Sequence, residues 1–203
     1  MSAREDILRR IRGANDAAGH PAPPDVPRDY HRTGAHAPGS PAVLELLTDR
    51  LIDYKATVIV AAHGAVHDAI RTALVAIDGP VVIPAGLPEA WWPDGIVDAG
   101  FSAAELDSHA AVVTGSVAAC AVTGTIALDG SPDQGRRAIT LVPDVHVCVV
   151  RADQVVETVP ELLARLDPAR PTTFISGPSA TSDIELERVE GVHGPRTLIV
   201  VIV

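Results

Sequence analysis

Apolar residues in this chain come in short, nearly uninterrupted runs separated by segments with helical spacing, and that alternation sets the expected fold class. Thr57-Val58-Ile59-Val60-Ala61-Ala62, Pro80-Val81-Val82-Ile83-Pro84, Ala110–Thr114, His146–Val150 and Arg196–Val203 lack a regular polar alternate, as strands buried on both faces require. Between them, Ala42–Tyr54, Val66–Ile77 and Gln154–Leu166 carry apolar residues at helical intervals. The pattern predicts an α/β fold, a mostly parallel sheet flanked by helices. Further strands are predicted over Thr125–Leu128, Ala138–Val142 and Thr172–Ser176. The spacing from Thr125 to Val150 leaves no room for helical crossovers, so a small antiparallel meander attached to the sheet is expected there.

The start of the chain follows a different pattern. Ser2–Arg12 reads as a short helix, with Ser2 and Glu5 at capping-box spacing, Ile7, Leu8 and Ile11 on one face, and Glu5–Arg9 and Asp6–Arg10 as supporting pairs. From Gly19 to Pro41 the chain is crowded with Pro21, Pro23, Pro24, Pro27, Pro38 and Pro41, which removes donors for a helix or ladder and predicts an extended arm. The expected organisation is therefore a helix and proline-rich arm over 1–41 and an α/β domain over 42–203. Such an arm has too little apolar surface to order alone and should dock, either on its own domain or on a neighbour. Its extended span favours the neighbour, and with it a homodimer.

Composition narrows the function. With 47% apolar and 21% charged residues the chain should be compact, and a formal charge of −10 repels nucleic acid and anionic lipid. The longest stretch without Lys, Arg, Asp or Glu, Ser108–Leu128, is broken by Thr114-Gly115-Ser116 and Thr123-Gly124-Thr125, so no membrane span is predicted. Arg4, Glu5, Asp6 and Arg9 precede any apolar run, unlike a secretory signal, and a cytoplasmic location is expected. Cys120 and Cys148, the two cysteines, are too few to hold an iron–sulfur cluster. There is no Gly-Lys-Ser/Thr phosphate loop and no Gly-x-Gly dinucleotide fingerprint, and a pyridoxal Schiff base has Lys55 alone to use. No cofactor is predicted on this chain.

Strand exits are where α/β proteins place chemistry, and three stand out. His63-Gly64-Ala65-Val66-His67-Asp68 has metal-like spacing only if helical throughout; with the helix starting after Gly64 it reads as a solvated loop. At the second, Thr123, Gly124 and Thr125 let a ligand approach the backbone, and Arg136 and Arg137 beyond them can grip a phosphate or carboxylate. An Asp129-Gly130 hairpin turn with two solvated arginines is the equal alternative. The third, Ser176 to Glu185, follows an apolar strand and opens a predicted helix, an arrangement that aims amides at an anion. Ser176, Gly177, Ser179, Thr181, Asp183 and Glu185 are its candidate anion-binding residues, although Ser182 and Glu185 also fit a capping box. His193, in the turn Gly191-Val192-His193-Gly194-Pro195, is a candidate for acid–base work or for bonding its own loop. A nucleophile elbow at Ser179 is disfavoured because Thr181 stands where glycine is needed. One pocket, taking a small anionic ligand, is expected where these segments converge.

The run Ser176 to Glu185 followed by Gly191 to Pro195 closely resembles the signature of the lactate-utilisation protein C family, the LUD domain. Thr123–Thr125, Gly135–Arg137 and Leu141–His146 match further family segments in order and spacing, and the resemblance covers roughly residues 42 to 203. It implies a fold similar to the sugar-phosphate isomerase and coenzyme A transferase group. It also implies a role in oxidising L-lactate to pyruvate as a non-redox subunit, with iron–sulfur clusters on partner lactate-utilisation proteins. Val122 stands where the family usually carries an acidic residue, so a catalytically silent scaffold is one alternative. A stand-alone enzyme acting on a sugar phosphate or acyl-coenzyme A is another.

Overall fold

The computed structural model describes residues 2–19, 25–62, 64–181, 189–190 and 193–203, which fall into two units, Met1–Tyr30 and His31–Val203. In the first, helix α1 spans Ala3–Ala17, longer than the periodicity predicts. Its capping box is formed: Ser2 N donates to Glu5 Oε2 (2.7 Å) and Glu5 N to Ser2 Oγ (3.3 Å). With Glu5 so engaged, Arg9 pairs with Asp6 instead, as does Arg10 at 2.9 Å. His20, Pro21, Pro23 and Pro24 of the predicted arm lie outside the described residues.

The second unit begins with residues 31–40, pinned where His36 N donates to Glu157 Oε2 (2.7 Å) and Gly39 N to the Val155 carbonyl (2.9 Å). Helix α2 (Pro41–Asp53) follows, with Pro41 in the first turn where its missing N–H costs nothing. Then come β1 (Thr57–Val60), α3 (Val66–Leu74), β2 (Val81–Ile83), β3 (Ile96–Val97), α4 (Ala103–Asp107) and β4 (Ala111–Thr114). The rest is β5 (Ala118–Cys120), β6 (Thr125–Leu128), β7 (Val145–Val150), β8 (Val155–Val156), α5 (Val159–Ala164), β9 (Thr173–Ile175), the short ribbon β10 (Ala180–Thr181) and β11 (Val189–Glu190), and β12 (Thr197–Ile202).

Six strands form one sheet in the order β1-β12-β7-β4-β2-β3, every neighbouring pair parallel. The uniformly apolar strands divide by alternation between two cores. Leu198, Val200 and Ile202 join Cys148 and Val150 beneath Val43, Leu47 and Leu51 of α2, while Ile199 and Val201 join Val147 and Val149 beneath Val66, Ile70 and Leu74 of α3. A residue buried on either face of such a sheet contributes about 1.5–3 kcal/mol, which is why both layers need a helix.

The second sheet is mixed and is drawn from other segments than the expected meander. Its order is β8-β5-β6-β9, with β5–β6 and β6–β9 antiparallel and β5–β8 parallel. Of the stretch from Thr125 to Val150, β6 alone joins it, because the loop after β6 carries the chain back to place β7 inside the parallel sheet. Ala138–Val142, predicted as a strand, overlaps a 3₁₀ turn over Arg137–Thr140, whose buried Ile139 packs with Val82, Leu106 and Val112. The predicted helix over Gln154–Leu166 shortens to α5, since Val155 and Val156 pair with β5 and the helix starts at Pro160's turn.

Candidate functional site

A cleft of about 240 Å³ opens where β9 and its following loop, the 3₁₀ turn, β7 and the approach to β12 meet. Its polar lining includes Arg137, Thr140, His146, Ser176, Ser179 and His193. Each is held from beneath. Gly135 turns the chain at φ +69°, where a Cβ would strike Pro84 and Ile139, and so delivers Arg137 onto the turn that Ile139 anchors. Arg137 Nη1 donates to the Thr140 carbonyl (2.9 Å) and Oγ1 (3.0 Å), which locks one edge of the fork. Burial lowers its pKa, yet a guanidinium stays charged at neutral pH.

Charge pairing separates Arg137 from its neighbours. A second, larger cleft of about 500 Å³ is lined by Arg136, Arg137 and Arg170. Arg136 grips Asp98 bidentately, Nε to Oδ2 at 2.6 Å and Nη2 to Oδ1 at 2.8 Å, and also reaches the Phe101 carbonyl. That clamp, with the amides of Phe101 and Gly100, holds the Asp98 carboxyl below its usual range. Arg170 lies 3.2 Å from the buried Asp129, whose other oxygen takes Ser131 N (3.0 Å) and Oγ (2.5 Å). Among the described residues Arg137 has no carboxylate partner, which makes it the guanidinium these clefts offer to an anion.

Strand β7 brings in a histidine that faces the α2 side of the sheet. His146 is 2% exposed, and its Nε2 lies 2.7 Å from Thr114 Oγ1 on β4. Burial, with Arg137 nearby, pushes its pKa down to about 3, so the ring is neutral. Cys148, two residues on, is buried beside Gly115 and its thiol is pushed up to about 12, chiefly by burial. It is an inert thiol rather than a nucleophile.

The LUD domain family model matches residues 98–203, a span that holds every residue lining this cleft. A Deinococcus radiodurans protein named Lactate utilization protein C is 45% identical over 209 residues, covering 97% of this chain and 92% of that protein. The chain belongs to the LUD domain family. A Bacillus velezensis protein also named Lactate utilization protein C is 25% identical over 183 residues, covering 75% of this chain and 74% of its own length. The crystal structure of a DUF162 family protein from Deinococcus radiodurans superposes with a TM-score of 0.68 at 41% identity, over 79% of this chain and 96% of that one.

In this LUD domain the residues singled out by sequence are distributed unevenly. Ser176, Gly177, Ser179 and His193 line the cleft together with Arg137. The loop is cross-pinned, with His193 N donating to Ser179 Oγ (3.0 Å) and Ser179 N to the Pro195 carbonyl (2.9 Å). Thr123, Gly124 and Thr125 stand at the β5–β6 hairpin instead of a parallel-strand exit, and reach the loop through hydroxyls: Thr123 Oγ1 donates to Thr125 Oγ1 (2.8 Å), which lies 2.9 Å from Ser176 Oγ. Gly124 (φ +59°) and Gly177 (φ +79°) both abut the end of α2, where a Cβ would strike Arg50 and Tyr54 respectively, so packing against the helix accounts for both. Arg136 borders the larger cleft, committed to Asp98. Thr181 is placed on β10 by its backbone, while Asp183, Glu185 and the Ser182 capping box lie outside the described residues. Of the first exit, His63 is outside them too; His67 stacks on Trp92 at 5.7 Å, and among the described residues no group of three His, Cys, Asp or Glu could hold a metal ion. No described helix is long and apolar enough to cross a membrane. His146 was given no role from sequence; its signals are its place at the end of the Leu141–His146 family segment and a titratable side chain within an apolar strand.

Proposed function

We propose that this LUD protein serves lactate utilisation in the cytoplasm, as the non-redox member of an iron–sulfur assembly that oxidises L-lactate to pyruvate. The observation that carries the reading is 45% identity, over nearly the whole of both chains, to a protein named Lactate utilization protein C. The cleft supports it: about 240 Å³ is below the range that drug-sized ligands occupy, and Arg137 offers a free guanidinium edge to a small carboxylate. In this reading Ser176 and Ser179 add hydroxyl donors, Thr125 positions Ser176, and His193 stands at the rim. Cys120 and Cys148 are both buried, which favours placing the clusters on partner proteins. Deleting the gene should abolish growth on L-lactate, and the native protein should co-purify with cluster-bearing partners. Unimpaired growth together with no such partner refutes the assignment.

In the same reading, α1 and the part of the arm before His31 dock on a second copy of the chain and form a homodimer, residues 31–40 being pinned to their own domain. Sedimentation of the full chain beside one starting at Pro41 tests this. The full chain should show a dimer mass and the shortened one a monomer; monomers in both overturn it.

A further inference from the structure

We infer that His146 is the specificity-determining residue of the cleft, accepting a hydrogen bond from a hydroxyl adjacent to the carboxylate that Arg137 holds, so that the ligand class is a small 2-hydroxy acid rather than its keto acid. The inference deepens the lactate reading and rests on it.

The hydrogen-bond network assigns the ring. We assign the single proton of Thr114 Oγ1 to the Gly115 carbonyl, 3.0 Å away. Its oxygen is then an acceptor toward His146 Nε2, 2.7 Å away, so Nε2 carries the ring proton. Nδ1 is left with a bare lone pair and has no partner among the described residues. His146 lines the cleft with 2% of its surface exposed, and in this assignment Nδ1 is the ring nitrogen turned to the ligand. A neutral nitrogen in that state has one use, to accept.

Arg137 supplies the complementary half. Nη1 is fastened to Thr140, while Nε and Nη2 have no partner among the described residues. A carboxylate placed on that edge presents its α-substituent to the rest of the cleft. A hydroxyl there donates to Nδ1. A keto oxygen sets lone pair against lone pair, and a methylene leaves Nδ1 desolvated without compensation. The site therefore holds the hydroxy acid and releases the oxidised product.

Calorimetric titration of the full-length protein with L-lactate, pyruvate and propionate, three carboxylates of similar size, tests this. L-Lactate should bind about tenfold tighter than either of the others, the yield of roughly one hydrogen bond. In His146→Phe the ring shape is kept and Thr114 keeps its bond to the Gly115 carbonyl, but no acceptor faces the cleft. That variant should keep propionate binding, which reports an intact cleft, and lose the preference for lactate. A ¹⁵N spectrum should show the Nε2–H tautomer of His146. Equal affinities, no binding of any acid, a preference that survives in His146→Phe, or an Nδ1–H tautomer each overturns the inference. Loss of growth on deletion alongside equal affinities sinks this inference alone; discriminating affinities without a growth phenotype sink the functional reading alone.

Discussion

Arg136 and Arg137 are adjacent in the chain and opposite in circumstance. Removing the Arg136 side chain strands Asp98, a carboxylate with 8% of its side chain exposed, and Arg136→Ala should cost about 2 kcal/mol while leaving carboxylate binding intact. Arg137→Ala breaks no ion pair among the described residues, and should abolish that binding with a stability loss within about 1 kcal/mol. Chemical denaturation and titration on both variants separate the roles; swapped outcomes would reverse them. The same scale carries a pH effect. His146 has a folded pKa of about 3 against 6.5 unfolded, so below pH 6.5 the unfolded chain binds the extra proton. Stability is then full above 6.5 and falls by up to about 1.4 kcal/mol per unit as pH drops toward 3. Urea midpoints at pH 7 and pH 5, above the usual carboxylate range, should show this slope, and His146→Gln should flatten it. The cleft-lining positions of Arg137, Ser176, Ser179 and His193 were legible because these residues sit in polar segments that no core explains. His146 was not, because a single polar residue within an apolar strand is normally silent packing.

At the scale of elements, α2 ends in an unusual way. Lys55 adopts φ +69°, with its N–H on the Ile52 carbonyl (2.8 Å) and Ala56 N on that of Leu51 (2.9 Å), a left-handed helix stop of the kind glycine normally supplies. Lys55→Gly should therefore raise stability by about 0.5–1 kcal/mol, seen as a higher Tm; a decrease would mean that the lysine stem contributes packing that outweighs the strain. The parallel strands were readable since burial on both faces writes itself as a run of Val and Ile. The two-residue strands β3 and β8 were not, because they owe their pairing to β2 and β5, not to any periodicity of their own. The 3₁₀ turn over Arg137–Thr140 imitates a strand in composition: Ala138 and Ile139 are apolar for the sake of the small core around Leu106.

For the molecule as a whole, the two cores lie on opposite faces of one sheet and share its strands. Leu47, fully buried between α2 and the sheet, should cost about 2–5 kcal/mol when cut to alanine, in one cooperative transition followed equally by fluorescence and circular dichroism. Separate transitions would show that the α2 and α3 layers unfold independently. The strand order has a consequence for how the protein is made. β12 lies between β1 and β7 and is registered to both over their length, yet it is the last of the six strands to leave the ribosome. Until it emerges, the growing chain holds two apolar strands with the slot between them empty, each an open edge for a neighbouring nascent chain. Synthesis of this sheet thus ends, rather than begins, with its keystone, and co-expression of a chaperone that covers exposed strand edges should raise its soluble yield.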